Sequence, residues 1–92
     1  MLRKYIIERN VKGIGEHPAD AYCGIAQQSK DVLVRQGPDI QWLESFIVQD
    51  KTYCVYLAES EDLIREHSRL SGFPADRVEP VRTILDPSFA PA

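Results

Sequence analysis

Two histidines, two cysteines and several strand carboxylates are the side chains of this 92-residue sequence with chemistry beyond packing. His67 falls on the apolar side of a helical segment. An imidazole there is either a buried hydrogen-bonding group or a metal ligand and proton carrier, since it titrates near neutrality. Cys54 falls in a strand segment, as a small hydrophobe or as a thiolate ligand, with no cationic neighbour in sequence to activate it. Glu8 and Glu44 are strand carboxylates that would do acid–base work, or supply oxygen ligands, if they met across adjacent strands. Together His67, Cys54, Glu44 and Glu8 form the candidate metal set, a mixture that suits a borderline divalent ion such as nickel or zinc. Cys23 lies beside a helix's apolar stripe and reads as packing, and His17 reads as an exposed loop residue. No nucleophile elbow, phosphate-cradling loop, Rossmann fingerprint or metalloprotease helix motif is present, and Gly13 and Gly15 lack the third glycine. No catalytic residue emerges, and no organic cofactor is indicated.

The elements that must position these groups are legible from patterning. Lys4 to Arg9 reads as a strand, followed by a glycine-containing loop. Pro18 opens a helix, along which Tyr22, Ile25, Ala26, Ser29, Val32, Leu33 and Gln36 recur at helical spacing. Gly37-Pro38 stops it. Ile40–Ile47 and Thr52–Leu57, joined by Val48-Gln-Asp-Lys51, are rich in β-branched and aromatic residues and read as an antiparallel hairpin. Ser60 is the expected N-cap of a second helix that places Leu63, Ile64, His67 and Leu70 on one face and ends at Gly72. A last strand is expected from Arg77 to Ile84. The order strand–helix–hairpin–helix–strand predicts an α+β, ferredoxin-like βαββαβ domain over residues 1–86, with both helices on one face of an antiparallel sheet. Residues 87–92, which contain Pro87 and Pro91, form a flexible tail.

Alternation within the strands then divides the sheet into two faces. Tyr5, Ile7, Leu43, Ile47, Tyr53, Val55, Leu57 and Val78 are assigned to the face under the helices. Ile6, Glu8, Trp42, Glu44, Phe46, Cys54, Tyr56, Glu79 and Val81 are assigned to the open face. Aromatic area mixed with carboxylates suits a partly wet cavity lined by Trp42, Phe46, Tyr56 and Glu79, formed when two sheets pack face to face. A homodimer is the expected assembly.

Composition narrows the classes of function. A net charge of -3 offers no electrostatic reason to bind nucleic acid or an anionic membrane. There is no apolar run of transmembrane length and no signal peptide, and two unclustered cysteines point to reduced thiols. A cytoplasmic protein is expected.

Five blocks of sequence carry a resemblance. They are Tyr5-Ile-Ile-Glu-Arg9, Gly37-Pro-Asp-Ile-Gln-Trp-Leu-Glu-Ser45, Asp50-Lys-Thr-Tyr-Cys-Val-Tyr56, Ile64-Arg-Glu-His67 and Gly72-Phe-Pro-Ala-Asp-Arg-Val78. Together they resemble a small bacterial family, formerly of unknown function and now described as nickel-binding, over roughly residues 4 to 86. The resemblance implies a ferredoxin-like fold, a dimeric α+β barrel with facing sheets, and nickel near that interface. His67 and Cys54 match the family's motifs as they stand. Some relatives carry His-Asp at the end of the first strand, where this sequence has Arg9-Asn10, and arginine cannot ligate a cation. The leading expectation is therefore a non-enzymatic protein that binds nickel or another divalent transition metal near a dimer interface. The alternative is a ligand-binding dimeric barrel or a cofactor-free monooxygenase- or isomerase-like enzyme. That alternative rests on fold analogy and leaves the small molecule unidentified.

Overall fold

The computed structural model describes residues 1–91. Its elements are β1 (Arg3–Asn10), α1 (Ala19–Gln36), β2 (Ile40–Ile47), β3 (Lys51–Ala58), α2 (Glu61–Ser71) and β4 (Arg77–Pro80), with single 3₁₀ turns at Ile14–Glu16 and Pro87–Phe89. The strands form one antiparallel sheet in the order β2-β3-β1-β4, with both helices packed on one face. This is the ferredoxin-like arrangement expected from the element order.

Local chemistry sets the boundaries. Ser60 caps α2 by accepting a hydrogen bond from the Leu63 amide at 3.4 Å, and Gly72 closes it at φ 81°, a conformation that costs glycine little. Strand β4 stops at Pro80, four residues short of the expected end. Val81 still donates to the Lys4 carbonyl at 2.8 Å, but beyond it the chain has almost run past the start of β1 and little of its partner remains. Pro80 is tolerated because β4 is an edge strand.

The core is a cluster of Tyr5, Ile7, Ile40, Cys54, Tyr56, Ala58, Ile64 and Val78. Ile7 and Ile64 are essentially inaccessible, so truncating either to alanine costs on the order of 3 kcal/mol. This cluster corrects the face assignment of β3. Tyr5 pairs with Tyr56 and Ile7 with Cys54, so Thr52, Cys54, Tyr56 and Ala58 lie under the helices, while Tyr53, Val55 and Leu57 lie on the open face. The reason is that β3 is apolar on both sides, so alternation alone cannot say which side faces inward. In β2 the correction has a different cause. A bulge between Trp42 and Glu44 inserts Leu43 and resets the alternation. Trp42 therefore sits on the helix side, where Ile47 lies as expected; Glu44 and Phe46 face the open side, also as expected, and Leu43 is left exposed instead of lying under the helices.

Candidate functional site

Between α1, the sheet and the loop after α2 lies a cavity of about 460 Å³, within the range of small-molecule sites. Tyr22, Ile25 and Ala26 of α1 form one wall. Trp42 and Ile47 of β2 face them, with Phe73 and Pro74 closing one end. Ile14 of the first 3₁₀ turn is a buried part of the lining. That turn is fastened to the hairpin loop, where Gly15 donates to the Gln49 carbonyl at 3.0 Å. The approach is so close that a Cβ on Gly15 would lie 2.6 Å from the Val48 carbonyl oxygen. Tyr22 donates its hydroxyl proton to the Ile14 carbonyl at 2.7 Å, tying α1 to the same turn.

The cavity's polar groups come from the inward phase of the strands and the stripe of α1. Arg9 follows Tyr5 and Ile7 at two-residue spacing on β1, so it points under the helices and is only 4% exposed. Its Nη1 donates to Ser68 Oγ at 2.9 Å and to the Pro74 carbonyl at 2.5 Å, and the guanidinium lies over Phe73, 5.9 Å from the ring centroid. Its Nη2 is buried and has no partner, and among the described residues no carboxylate pairs with it.

His67 lies deeper, fully buried, in a neutral network. Gln36 Oε1 can only accept, so His67 Nδ1 carries the proton and donates across 2.8 Å. The Nε2 lone pair then accepts from one of the two hydroxyls beside it, Ser29 at 3.0 Å or Tyr56 at 3.2 Å. Burial, with the Arg9 charge adding to it, pushes the imidazole pKa down to about 4. Burial also raises the Tyr56 phenol above its usual range, partly offset by the hydrogen bond to Ser29 and by Arg9.

The candidate metal set is divided by the sheet. His67 and Cys54 are on the helix side, while Glu8 and Glu44 are on the open face, where Glu8 pairs with Lys51 at 3.6 Å. Glu8 and Glu44 do not meet across adjacent strands either. Strand β3 runs between them, which separates the two backbones by about 9.5 Å. Of the residues expected to line one cavity, Trp42 and Tyr56 do line this one, on the side opposite to that expected, whereas Phe46 and Glu79 face outward. Cys54 lines the cavity beside Thr52, with Sγ 3.6 Å from its hydroxyl. Cys23 and His17 are exposed, although His17 reaches the cavity rim. Arg9, Ser29 and Gln36 were not singled out as site residues by sequence reasoning. Their signal was a polar side chain in the phase of an apolar strand or stripe.

A family described as nickel-responsive, SCO4226-like proteins, matches residues 5–81. The chain belongs to this family. As an SCO4226-like protein it also shares its fold with the crystal structure of SCO4226 from Streptomyces coelicolor A3(2). The TM-score is 0.75, with 14% identity over 89% of this chain and 99% of that one. Among curated proteins none matches the sequence.

The family's description raises nickel directly, and the cavity does not fit a cation. Both ring nitrogens of His67 are engaged, and the fixed charge of Arg9 is close enough to bias the imidazole against a proton. Among the described residues no three His, Cys, Asp or Glu side chains are gathered in one place. No described helix is long and apolar enough to cross a membrane.

Proposed function

We propose that this chain is a small-molecule-binding protein whose ligand occupies the cavity between α1, the sheet and the loop after α2. The observation that carries the reading is the cavity itself. About 460 Å³ of mostly apolar space, edged by Arg9, Ser29, Thr52 and Tyr56, is the composition expected of a site that buries an organic molecule and orients it by a few polar groups. A packed core would fill such a volume with side chains. The test is a titration with the neutral apolar fluorophore N-phenyl-1-naphthylamine. Saturable binding is expected, and Ala26→Phe, which places a ring in the cavity from α1, should abolish it. Absence of saturable binding, or binding unchanged in that variant, refutes the reading.

The protein is proposed to be a homodimer through the open sheet face. That face carries Ile6 and Phe46, 40% and 55% exposed, with the half-buried Tyr53, Val55 and Leu57. It also carries charges of both signs, Lys4, Glu8, Glu44, Arg77 and Glu79, which suits an isologous contact in which the patch meets itself. Light scattering should return twice the 10.5 kDa chain mass, and a monomer at micromolar concentration would refute it.

A second reading, a divalent cation such as nickel at the dimer interface, is favoured by the family's description. Among the described residues of the open face only carboxylates, Glu8, Glu44 and Glu79 of each copy, stand ready to hold one, and oxygen donors alone suit harder ions than nickel. Elemental analysis and nickel dialysis of tag-free protein decide it. Stoichiometric nickel lost in Glu8→Gln and Glu44→Gln would support this reading, and no nickel retained would remove it.

A further inference from the structure

We propose that the cavity's ligand is an amphipathic carboxylate, with its acid group against Arg9 and its apolar body along the wall formed by Ile25, Ala26 and Trp42. This rests on the cavity reading above and adds the chemical class of ligand.

The argument begins with an uncompensated charge. A guanidinium stays protonated at any physiological pH, so burial cannot neutralise it as it neutralises a lysine or histidine. Buried charges in folded proteins are paired, because the desolvation cost is otherwise left standing. Arg9 is 4% exposed, yet among the described residues no carboxylate lies within ion-pairing distance. Its neighbours His67 and Tyr56 are both neutral and supply no negative charge. Nη1 is already held by Ser68 and Pro74, which fixes the plane of the fork; Nη2 has no hydrogen bond of good geometry, although the guanidinium lies near enough to the Tyr56 hydroxyl to stabilise its ionised form. A guanidinium oriented this firmly, with both N–H groups of Nη2 unsatisfied, is pre-organised for an anion.

A second donor is available beside it. Ser29 and Tyr56 carry two hydroxyl protons, and His67 Nε2 has one lone pair to receive them. The second proton has only the other hydroxyl's oxygen, at 3.4 Å, as its partner. That weak contact leaves it free to turn to a ligand oxygen. The charge count selects the acid. One guanidinium edge matches a monoanionic carboxylate, whereas a phosphate dianion calls for a second fixed cation, and among the described residues no other arginine and no lysine lines the cavity. The remaining walls are apolar and aromatic, so the rest of the molecule must be apolar as well.

The test compares octanoate, 1-octanol and octylamine by calorimetry, with the fluorescence of Trp42, the only tryptophan, as a second readout. Octanoate is expected to bind at least tenfold more tightly than octanol, and octylamine not to bind. Arg9→Gln should lower octanoate to the affinity of octanol and leave octanol unchanged. Arg9→Lys, which keeps the charge, should retain part of the preference. Equal binding of octanoate and octanol to the parent protein overturns the carboxylate inference while leaving the cavity reading intact. A preference for octanoate that survives in Arg9→Gln overturns it too, because the acid then sits elsewhere. Failure of every probe to bind overturns both. The parent series decides the matter even if a substitution at Arg9 prevents folding.

Discussion

Lowering the pH should unfold this protein through one residue, His67. Its imidazole is fully buried, with a pKa near 4 against 6.5 for an unperturbed histidine. Because the folded-state value is the lower one, the unfolded chain takes up the proton first. Stability contributed by neutral His67 is therefore fully present above about pH 6.5, and is lost as pH falls toward 4. At 1.36 kcal/mol per pH unit, the gap between the two values is worth about 3 kcal/mol, a large part of the stability of a domain this size. The assay is urea denaturation from pH 4 to 8 at constant ionic strength, on the parent and on His67→Gln, which keeps a neutral hydrogen-bonding side chain. The parent-minus-variant difference should be flat above pH 6.5 and then fall by about 3 kcal/mol toward pH 4. Glu66 and Asp86, whose carboxyls are held below their usual range by Arg69 and by Ser88, also lose stabilisation in acid. They are exposed and common to both proteins, so they cancel in the difference. A difference that stays flat from pH 4 to 6.5 refutes the neutral-network assignment, and one that rises in acid refutes it and implies an imidazolium paired with an anion.

Three further outcomes are expected. Gly15→Ala should cost about 2 kcal/mol and loosen the turn that carries Ile14 into the cavity lining, since its Cβ would meet backbone at 2.6 Å, as melting and ligand off-rates would show; an unchanged Tm contradicts this. Nickel affinity of tag-free protein, measured by calorimetry, should be equal in the parent, Cys54→Ala and His67→Gln, whereas a tenfold loss in either variant would return that residue to a metal site. Arg9→Met should leave ligand-free stability within about 1 kcal/mol of the parent, because relief of an unpaired buried charge offsets the two lost hydrogen bonds. Destabilisation by more than about 3 kcal/mol would mean that Arg9 is structural and already compensated.

The parts of the fold read correctly from sequence are those with one apolar side. The stripe of α1 from Tyr22 to Gln36, the Ser60 cap, the Gly72 stop and the hairpin limits of β2 all follow from period and punctuation. Strand β3 was assigned the wrong way round because Thr52 to Ala58 offers apolar side chains to both faces. Its orientation is set only by pairing Tyr5 with Tyr56. The bulge at Leu43 carries no turn residue to announce it, so Trp42 and Phe46 were placed together although they lie on opposite sides. The site is legible in the phase of its polar side chains, not in its histidine and cysteine. Histidine and cysteine draw attention by chemistry, but Arg9 stands in phase with Tyr5 and Ile7, and Ser29 and Gln36 stand within the stripe of α1. A charged or polar side chain in an apolar phase needs either a partner or a ligand. Ser29 and Gln36 find theirs in His67; Nη2 of Arg9 finds none within the described residues.

The measurement that tests the central claim most directly is a set of intermolecular nuclear Overhauser effects between octanoate and isotopically labelled protein. The methylene chain is expected to show contacts to Ile25, Ala26 and Trp42, and the Arg9 Nη2 protons should shift on binding. Contacts confined to Ile6, Phe46 and Val55 on the open face of the sheet would contradict the assignment of the cavity as the site.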